Sequence, residues 1–206
     1  MSTLIVDYGM SNLGSIRRAV QECGAAVVVS DNARDIDTAD HIILPGVGAF
    51  PDGMRNLCAK GWIEALNKAV AKGIPLLGIC LGMQLLSSRG YEEGDTEGLN
   101  FIPGEVRRLV SQNKNERLPH VGWNELYVRK RTKFLENIPD GTDFYFVHSY
   151  HFVPETKSDI LAETYYGDGF VCVLERGNVF GTQFHPEKSG QMGFQILKNF
   201  LTIYEV

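Results

Sequence analysis

The hydrophobic residues in the first part of the chain follow two alternating patterns. Short continuous apolar runs, typical of buried strands, occupy residues 4–6, 26–29, 41–44 and 74–79. Between them, apolar residues recur every three or four positions over residues 12–23 and 52–72, and a further helical pattern opens at 82–86. Gly24 and Gly73 follow two of these patterns as stop signals. The alternation predicts a parallel sheet with helices on both faces.

The pattern changes after about residue 100. Strand-like segments come closer together at residues 105–110, 144–147, 160–164, 171–174 and 179–184, and residues 175–178 have the composition of a hairpin turn. A closing helix is predicted from about residue 189 to 204. We therefore expect a single α/β domain over residues 1–206. It is an open mixed sheet of flavodoxin-like or α/β-hydrolase-like type, flanked by helices, with an antiparallel extension in its second half.

Composition and charge exclude several classes of function. The 206 residues are 44% hydrophobic and 22% charged, as in ordinary globular proteins. Lysine and arginine total 20 against 25 acidic residues, and the longest basic run is the triplet at 129–131, which argues against a nucleic-acid partner. No stretch approaches the ~20 apolar residues of a membrane span. The first residues lack the features of a signal peptide, so a cytoplasmic location is expected.

One of the four cysteines lies in a distinctive setting. Cys80 follows a predicted strand, precedes a predicted helix and has Gly78 and Gly82 two residues away on either side. This is the pattern of a nucleophile elbow, in which glycines avoid collisions around a sharply turned residue. Cys80 is therefore the candidate nucleophile, with the N–H of Leu81 as an oxyanion donor. The alternative is a buried cysteine whose neighbouring glycines serve packing alone.

The other cysteines are expected to pack in the core. No pair of cysteines has C-x-x-C or metal-finger spacing, which suits free thiols in a reducing compartment. The three lie within apolar helix or strand patterns: Cys23, Cys58 and Cys172.

A candidate base and its orienting acid lie near the C-terminus. In an extended segment, residues two apart face the same side, so Glu187 can reach the ring of His185, with Pro186 between them. A thiolate nucleophile needs such an imidazole and an acceptor that orients it. The alternative is a loop histidine beside a solvated glutamate. His148 and His151 could suggest a metal pair, but no third ligand lies at a suitable spacing, so no metal is expected.

A short glycine loop follows the predicted strand at 41–44. Gly46 and Gly48 flank Val47, and such a backbone can turn N–H groups toward a second oxyanion position. The nucleotide-binding patterns G-x-G-x-x-G and G-x-x-x-x-G-K-[ST] are absent here, so phosphate binding has little support.

Taken together, these segments resemble the class I, or triad, glutamine amidotransferases over residues 4 to about 201. The elbow at 78–84 resembles the nucleophile segment of that family, and residues 185–187 resemble its acid–base segment. More particular segments, at 7–13, 45–50, 119–124 and 146–150, are similar to the glutaminase subunits of imidazole glycerol phosphate synthases.

The resemblance implies a reaction and a set of binding residues. Cys80 would attack the side-chain amide of L-glutamine, His185 would protonate the departing ammonia and Glu187 would hold the imidazole. Water would then hydrolyse the γ-glutamyl thioester to glutamate, without a cofactor. Backbone N–H groups of Leu81, Val47 and Gly48 would form the oxyanion hole. The residues implied to hold glutamine are Gly46, Gly48, Gln84, Ser149 and Tyr150.

The resemblance also implies a partner. A separate cyclase chain of (β/α)8 type would form a heterodimer with this one and receive the ammonia through a tunnel. It would make imidazole glycerol phosphate and aminoimidazole carboxamide ribotide in histidine biosynthesis. The free glutaminase would be nearly silent until that partner is bound and occupied. Residues expected near the partner are Tyr8, Asn12 and Lys188.

Three alternatives remain open at this stage. The chain could be an amidotransferase subunit of the same shape that feeds another synthase, for example one that amidates a sugar. It could be a stand-alone hydrolase such as a γ-glutamyl peptidase, which would turn over without any partner. It could also be a non-catalytic binding module, although all three residue types of a triad occur in a workable order.

Overall fold

The computed structural model of the protein describes residues 2–110 and 117–203. The strands within these ranges are β1 (Ser2–Val6), β2 (Ala26–Ser30), β3 (His41–Gly46), β4 (Leu76–Cys80), β5 (Arg89–Gly90), β6 (Thr96–Glu97), β7 (Gly104–Arg108), β8 (His120–Val128), β9 (Thr142–His148), β10 (Tyr150–Pro154), β11 (Ile160–Thr164), β12 (Phe170–Arg176) and β13 (Val179–Thr182). The α-helices are α1 (Leu13–Glu22), α2 (Phe50–Ala59), α3 (Trp62–Ala71), α4 (Leu81–Leu85) and α5 (Gly190–Thr202). Short 3₁₀ turns lie at Ala33–Thr38, Lys133–Leu135, Lys157–Asp159 and Pro186–Lys188.

The described strands form a nine-stranded sheet and a smaller four-stranded sheet. The large sheet has the order β2-β1-β3-β4-β13-β12-β11-β8-β9, and the small one the order β10-β7-β5-β6. The strands from β2 to β13 pair in parallel, and from β13 onward the pairing is antiparallel. The predicted α/β fold, with a mixed sheet and an antiparallel second half, is confirmed.

Helices cover both faces of the large sheet, each over its own hydrophobic core. Alternate side chains of a strand point to opposite faces. Ile5 of β1 accordingly packs with residues of α1 and α5, whereas Leu4 packs with residues of α2, α3 and α4. The central strands are buried on both faces, which explains why their sequences are continuous apolar runs rather than alternating ones.

The predicted helix over residues 52–72 is wrong in one respect, because the chain forms two helices there. Helix α2 ends at Ala59, and Gly61 has a φ of 72° in the left-handed region before α3 begins at Trp62. The N–H of Gly61 donates to the Cys58 carbonyl oxygen at 3.1 Å, which closes the last turn of α2. Glycine favours this helix-ending conformation because it has no Cβ.

Several strands also differ from expectation. The apolar run at 26–29 predicts a buried strand, but β2 lies at the edge of the large sheet and Val28 is 42% exposed. Strands β5, β6, β8 and β10 have no counterpart among the predicted elements. In β8, the longest described strand, exposed and half-buried residues alternate between the buried His120 and Leu126, so no apolar run forms. The closing helix α5 ends at Thr202, and the predicted end at residue 204 lies outside the described residues.

None of the helices within residues 2–110 and 117–203 combines the length and apolar character needed to cross a lipid bilayer.

Candidate active site

Cys80 lies at a sharp junction between strand β4 and helix α4. Its φ of 55° and ψ of −110° are unusual for a residue with a side chain and mark a strained backbone. The flanking glycines leave the space that this turn requires. A Cβ at Gly78 would lie 2.6 Å from the carbonyl oxygen of Gly82, and a Cβ at Gly82 would lie 1.8 Å from that of Leu44. The elbow therefore requires glycine at both positions.

The thiol of Cys80 is buried and is contacted by a hydrogen-bond acceptor and a donor. Its sulfur lies 3.8 Å from the carbonyl oxygen of Val147, which can accept the thiol proton. The side-chain amide of Gln183 approaches from another direction, with its Nε2 atom also 3.8 Å from the sulfur. Only 6% of Cys80 is exposed, and that fraction faces the cavity described below.

His185 and Glu187 form a buried pair beside this thiol. Nδ1 of His185 lies 2.8 Å from Oε1 of Glu187, and both side chains are almost completely buried. Burial alone would lower the pKa of His185. Hydrogen bonding and charge from Cys80 and Glu187 outweigh burial and raise this pKa to about 10. Nε2 is the ring nitrogen that Glu187 does not engage, so it is the atom that can exchange a proton with Cys80.

Backbone contacts hold His185 in position. Its N–H donates to the Tyr145 carbonyl oxygen at 3.0 Å, which ties the segment to β9. The Ser189 hydroxyl donates to the His185 carbonyl oxygen at 2.7 Å and also accepts from the N–H of Tyr145 at 3.0 Å. A single serine therefore fixes the turn that carries His185 against the strand next to it.

The glycine loop lies against the elbow. Gly46 of β3 pairs with Cys80 of β4, and a Cβ at Gly46 would lie 2.3 Å from the hydroxyl oxygen of Tyr8. In this conformation the N–H of Val47, a predicted oxyanion donor, donates to the Met10 carbonyl oxygen at 2.8 Å. Gly48 has a φ of 114°, a left-handed conformation that suits glycine.

A cavity of about 250 Å³ opens onto the thiol. It brings together residues from three predicted segments: Val47, Gly48, Cys80, Leu81, Gln84, Val147, His148, Ser149 and Tyr150. Glu92 also lines the cavity, although no sequence pattern predicted it. Its Oε2 atom accepts from the N–H of Phe50 at 2.8 Å, and burial raises the pKa of its carboxyl group. Glu92 lies in an acidic loop with several similar residues, so no sequence signal distinguished it.

Comparisons with known proteins support the fold and the family. The family model described as glutamine amidotransferase class-I matches residues 4–203. The imidazole glycerol phosphate synthase subunit HisH of Moorella thermoacetica is 48% identical over 196 residues, covering 95% of this chain and 92% of that protein. The HisH subunit of Aquifex aeolicus is 45% identical over 201 residues, covering 97% and 96%.

The chain belongs to the HisH family of class-I glutamine amidotransferases. The resemblance seen in the sequence is thereby confirmed. HisH proteins are the glutamine amidotransferase subunits of imidazole glycerol phosphate synthase, an enzyme of histidine biosynthesis. Among solved structures, that of PurLQS from Thermotoga maritima has a TM-score of 0.78 at 19% identity, covering 99% of each chain. A glutamine amidotransferase from Thermotoga maritima has a TM-score of 0.68 at 18% identity, covering 100% of this chain and 82% of that one. At these identities, the likeness shows the fold alone.

Of the five residues expected to hold substrate, Gly48, Gln84, Ser149 and Tyr150 line the cavity, whereas Gly46 does not. Gln84 is buried on α4, and Ser149 and Tyr150 are half-buried where β9 gives way to β10. The Tyr150 carbonyl oxygen already accepts two hydrogen bonds, from Gln84 Nε2 at 2.9 Å and from His148 Nδ1 at 2.8 Å. The Tyr150 carbonyl therefore serves to hold the cavity wall together.

The three residues expected near a partner lie in different environments. Asn12 and Lys188 are exposed, and the ammonium of Lys188 lies 5.8 Å from the centre of the Tyr145 ring. The expectation for Tyr8 is wrong, because its side chain is completely buried beneath the glycine loop. Burial raises the pKa of the Tyr8 phenol, and a negative charge on Cys80 raises it further.

The remaining cysteines and His148 lie in different environments. Cys172 is fully buried and Cys23 partly buried, but the prediction that Cys58 packs in the core is wrong, because it is exposed on α2. His148 uses both ring nitrogens, the second contacting His120 Nδ1 at 3.2 Å. Over residues 2–110 and 117–203, no group of three or more potential ligands could hold a metal ion.

Proposed function

We propose that the chain hydrolyses L-glutamine to glutamate and ammonia with Cys80 as nucleophile. The Cys80 sulfur bonds to the side-chain carbonyl carbon of glutamine while His185 holds the thiol proton. His185 then gives a proton to the amide nitrogen as the carbon–nitrogen bond breaks and ammonia leaves. Water attacks the resulting thioester, which releases glutamate and restores the thiol.

The observation that carries this proposal is the convergence of a strained cysteine and a buried His–Glu pair. Strain at a buried nucleophile is retained where the surrounding structure requires it, and such sites are often functional. Contacts with Cys80 and Glu187 raise the pKa of His185, so the imidazole stays charged beside the sulfur. Glu187 holds the ring so that Nε2 is the atom free to exchange protons.

The cavity suits one small amino acid. Glutamine carries an ammonium group, and the half-buried carboxylate of Glu92 is placed to accept its hydrogen bonds. We assign the side-chain amide of the substrate to the elbow. Leu81 is the first residue of α4, so its N–H has no acceptor in a preceding helical turn and can donate to the oxyanion. The second oxyanion donor comes from the Gly46–Gly48 segment.

We also propose that the ammonia passes to a separate cyclase subunit of (β/α)8 type, in a heterodimer formed in the cytoplasm, where thiols stay reduced. The shared family with HisH supports this partner. Exposed apolar side chains lie on β8 and on the glycine loop, namely Val121, Trp123 and Val47, at 56%, 57% and 42% exposure. Such side chains suit burial against a partner.

Activation by the partner has a structural basis in the glycine loop. The N–H of Val47 is bonded to the Met10 carbonyl oxygen, so it cannot donate to an oxyanion in this conformation. One missing oxyanion donor costs about 10²- to 10³-fold in kcat. We therefore expect the free subunit to be slow and the complex to be faster, with a shift of this loop as the difference.

Glutaminase turnover tests the proposal at two levels. Cys80→Ala abolishes ammonia release from glutamine but leaves the fold intact, whereas Cys58→Ser, which changes an exposed thiol, retains full activity. Appreciable turnover by Cys80→Ala rejects Cys80 as the nucleophile. The wild-type rate is then measured for the chain alone, with its cyclase partner, and with that partner in the presence of the cyclase ligand. Full turnover by the free chain identifies a stand-alone hydrolase instead.

A further inference from the structure

Gln183 is a completely buried polar residue that the proposed reaction does not yet use. It follows strand β13, and its backbone N–H donates to the Cys172 carbonyl oxygen at 2.9 Å. Its side chain lies between Cys80 and Gln84, within hydrogen-bonding distance of both. A buried primary amide is costly unless its donors and acceptor are satisfied.

The neighbours of Gln183 determine which way its amide points. The Tyr150 carbonyl can only accept, so the atom of Gln84 that lies 2.9 Å from it must be the amide nitrogen. The same nitrogen lies 3.1 Å from the Gln183 side chain, which must therefore present its oxygen there. The amide nitrogen of Gln183 is left facing the sulfur of Cys80. The Tyr150 carbonyl thus fixes the orientation of the Gln84 amide, and Gln84 in turn fixes that of Gln183.

This orientation matters because the other close neighbour of the sulfur, the Val147 carbonyl oxygen, favours the neutral thiol. The Val147 carbonyl oxygen accepts a hydrogen bond from the thiol and repels a thiolate. An N–H donor stabilises the charged form of the group to which it donates. The Gln183 amide therefore offsets the Val147 carbonyl from within the protein.

We propose that Gln183 is a positioning residue for the nucleophile, whose side-chain amide donates to the Cys80 sulfur, fixes its direction and stabilises the thiolate. The proposal rests on the role of Cys80 in the proposed function. Gln84 connects Gln183 to the substrate cavity, because its side chain fixes the amide of Gln183 and also lines the cavity. The alternative is that Gln183 merely fills a polar position in the core.

The test is the pH dependence of alkylation of Cys80 by iodoacetamide, followed for each cysteine by mass spectrometry. Cys58, which is exposed, serves as an internal standard in every sample. Gln183→Met keeps the length of the side chain but removes the donor. Gln195→Met is the matched control, because Gln195 bonds Asn199 within α5, away from the site.

For Gln183→Met, we expect the midpoint for Cys80 alkylation to rise by about one pH unit, equivalent to about tenfold less thiolate below the midpoint. The rate at Cys58 stays unchanged. With a cyclase subunit present, kcat for glutamine falls while KM changes by less than about twofold, since the donor acts on the nucleophile rather than on bound substrate. Gln195→Met leaves all of these values at wild type.

An unchanged midpoint in Gln183→Met, with or without a lower melting temperature, overturns the proposal and leaves Gln183 with a packing role. Should Gln183→Met fail to fold, Gln183→Glu keeps the shape and places an oxygen against the sulfur, and the midpoint must then rise through repulsion. An unchanged midpoint in Gln183→Glu also overturns the proposal. Failure of the proposed function is a separate result: glutaminase activity would persist in Cys80→Ala, whatever the titration of Cys80 shows.

Discussion

Nδ1 of His185 lies 2.8 Å from Oε1 of Glu187, and the two side chains are buried together beside the thiol of Cys80. Such a contact fixes the ring, selects which nitrogen carries the proton and stabilises the charged imidazole. Stabilisation of the charged imidazole depends on the negative charge of Glu187. Removing that charge while keeping the shape of the side chain therefore tests this role.

Replacing Glu187 with glutamine removes the charge while keeping the shape. We expect kcat to fall about 10²-fold or more, because proton transfer through a positioned group typically contributes 10² to 10⁴. The pKa of His185 falls as well, since Glu187 is one of the groups that raise it. KM for glutamine stays near wild type. Glu22→Gln, at an exposed position on α1, is the control. A rise in KM without a loss of kcat would contradict the assigned role.

Glu92→Gln tests the charge that lines the cavity. A hydrogen bond to a charged group contributes about 1.5–3 kcal/mol, so we expect KM for glutamine to rise about 10- to 100-fold with a smaller effect on kcat. Glu93→Gln is a matched control, because it alters the adjacent, exposed carboxylate. Steady-state kinetics with a cyclase subunit give both constants. Equal effects of the two substitutions would indicate a general charge effect rather than contact with substrate.

Gly82→Ala tests the steric basis of the elbow. The new Cβ would lie 1.8 Å from the Leu44 carbonyl oxygen, so β3 and α4 must separate. We expect the free energy of unfolding to fall by about 3 kcal/mol or more. Gly14→Ala is the matched control, because a Cβ there meets nothing within 4 Å beyond its chain neighbours and the nearby backbone of its own helix, α1. That change should stabilise the protein by up to about 1 kcal/mol. Urea unfolding measures both, and comparable effects would argue against the collision.

Because His148 is buried, we expect the free energy of unfolding to decrease in acid. Burial lowers its pKa from 6.5 to about 3 in the folded chain. Between these values the unfolded chain binds the proton and the folded chain does not, so the free energy of unfolding falls as the pH falls from 6.5 toward 3. His148→Phe removes this term, and the slope should decrease by up to about 1.4 kcal/mol per pH unit. Urea unfolding of both proteins across this range provides the comparison, and parallel curves would contradict it.

The sequence predicted the parallel half of the sheet well, because strands β1, β3 and β4 are buried on both faces and carry an unmistakable apolar run. It predicted the antiparallel half less completely. Strand β8 alternates half-buried and exposed residues, so no run marks it. Periodicity alone also did not separate α2 from α3, because the apolar positions continue across the break at Gly61.

The candidate site shows a similar division. The Cys80 elbow and the His185–Glu187 pair follow from spacing, since both depend on residues close together in the chain. The Met10–Val47 contact joins two loops through backbone atoms, so no side-chain pattern encodes it. The extended segment predicted around His185 is wrong, because residues 186–188 form a 3₁₀ turn, and this turn brings Glu187 to the ring. No sequence pattern marked Gln183, which lies just beyond the end of β13.

The cavity lies where the nine-stranded sheet meets the four-stranded sheet. The parallel half of the large sheet carries Cys80 at the end of β4, and β13 leads into the segment that bears His185. The small sheet contributes part of the opposite wall, with Glu92 in the loop between β5 and β6 and Tyr150 at the start of β10. Under the proposed function, the small sheet supplies only part of the substrate site, because Gly48 and Gln84 come from the glycine loop and α4. A change at Glu92 can therefore alter substrate binding without touching Cys80, His185 or Glu187.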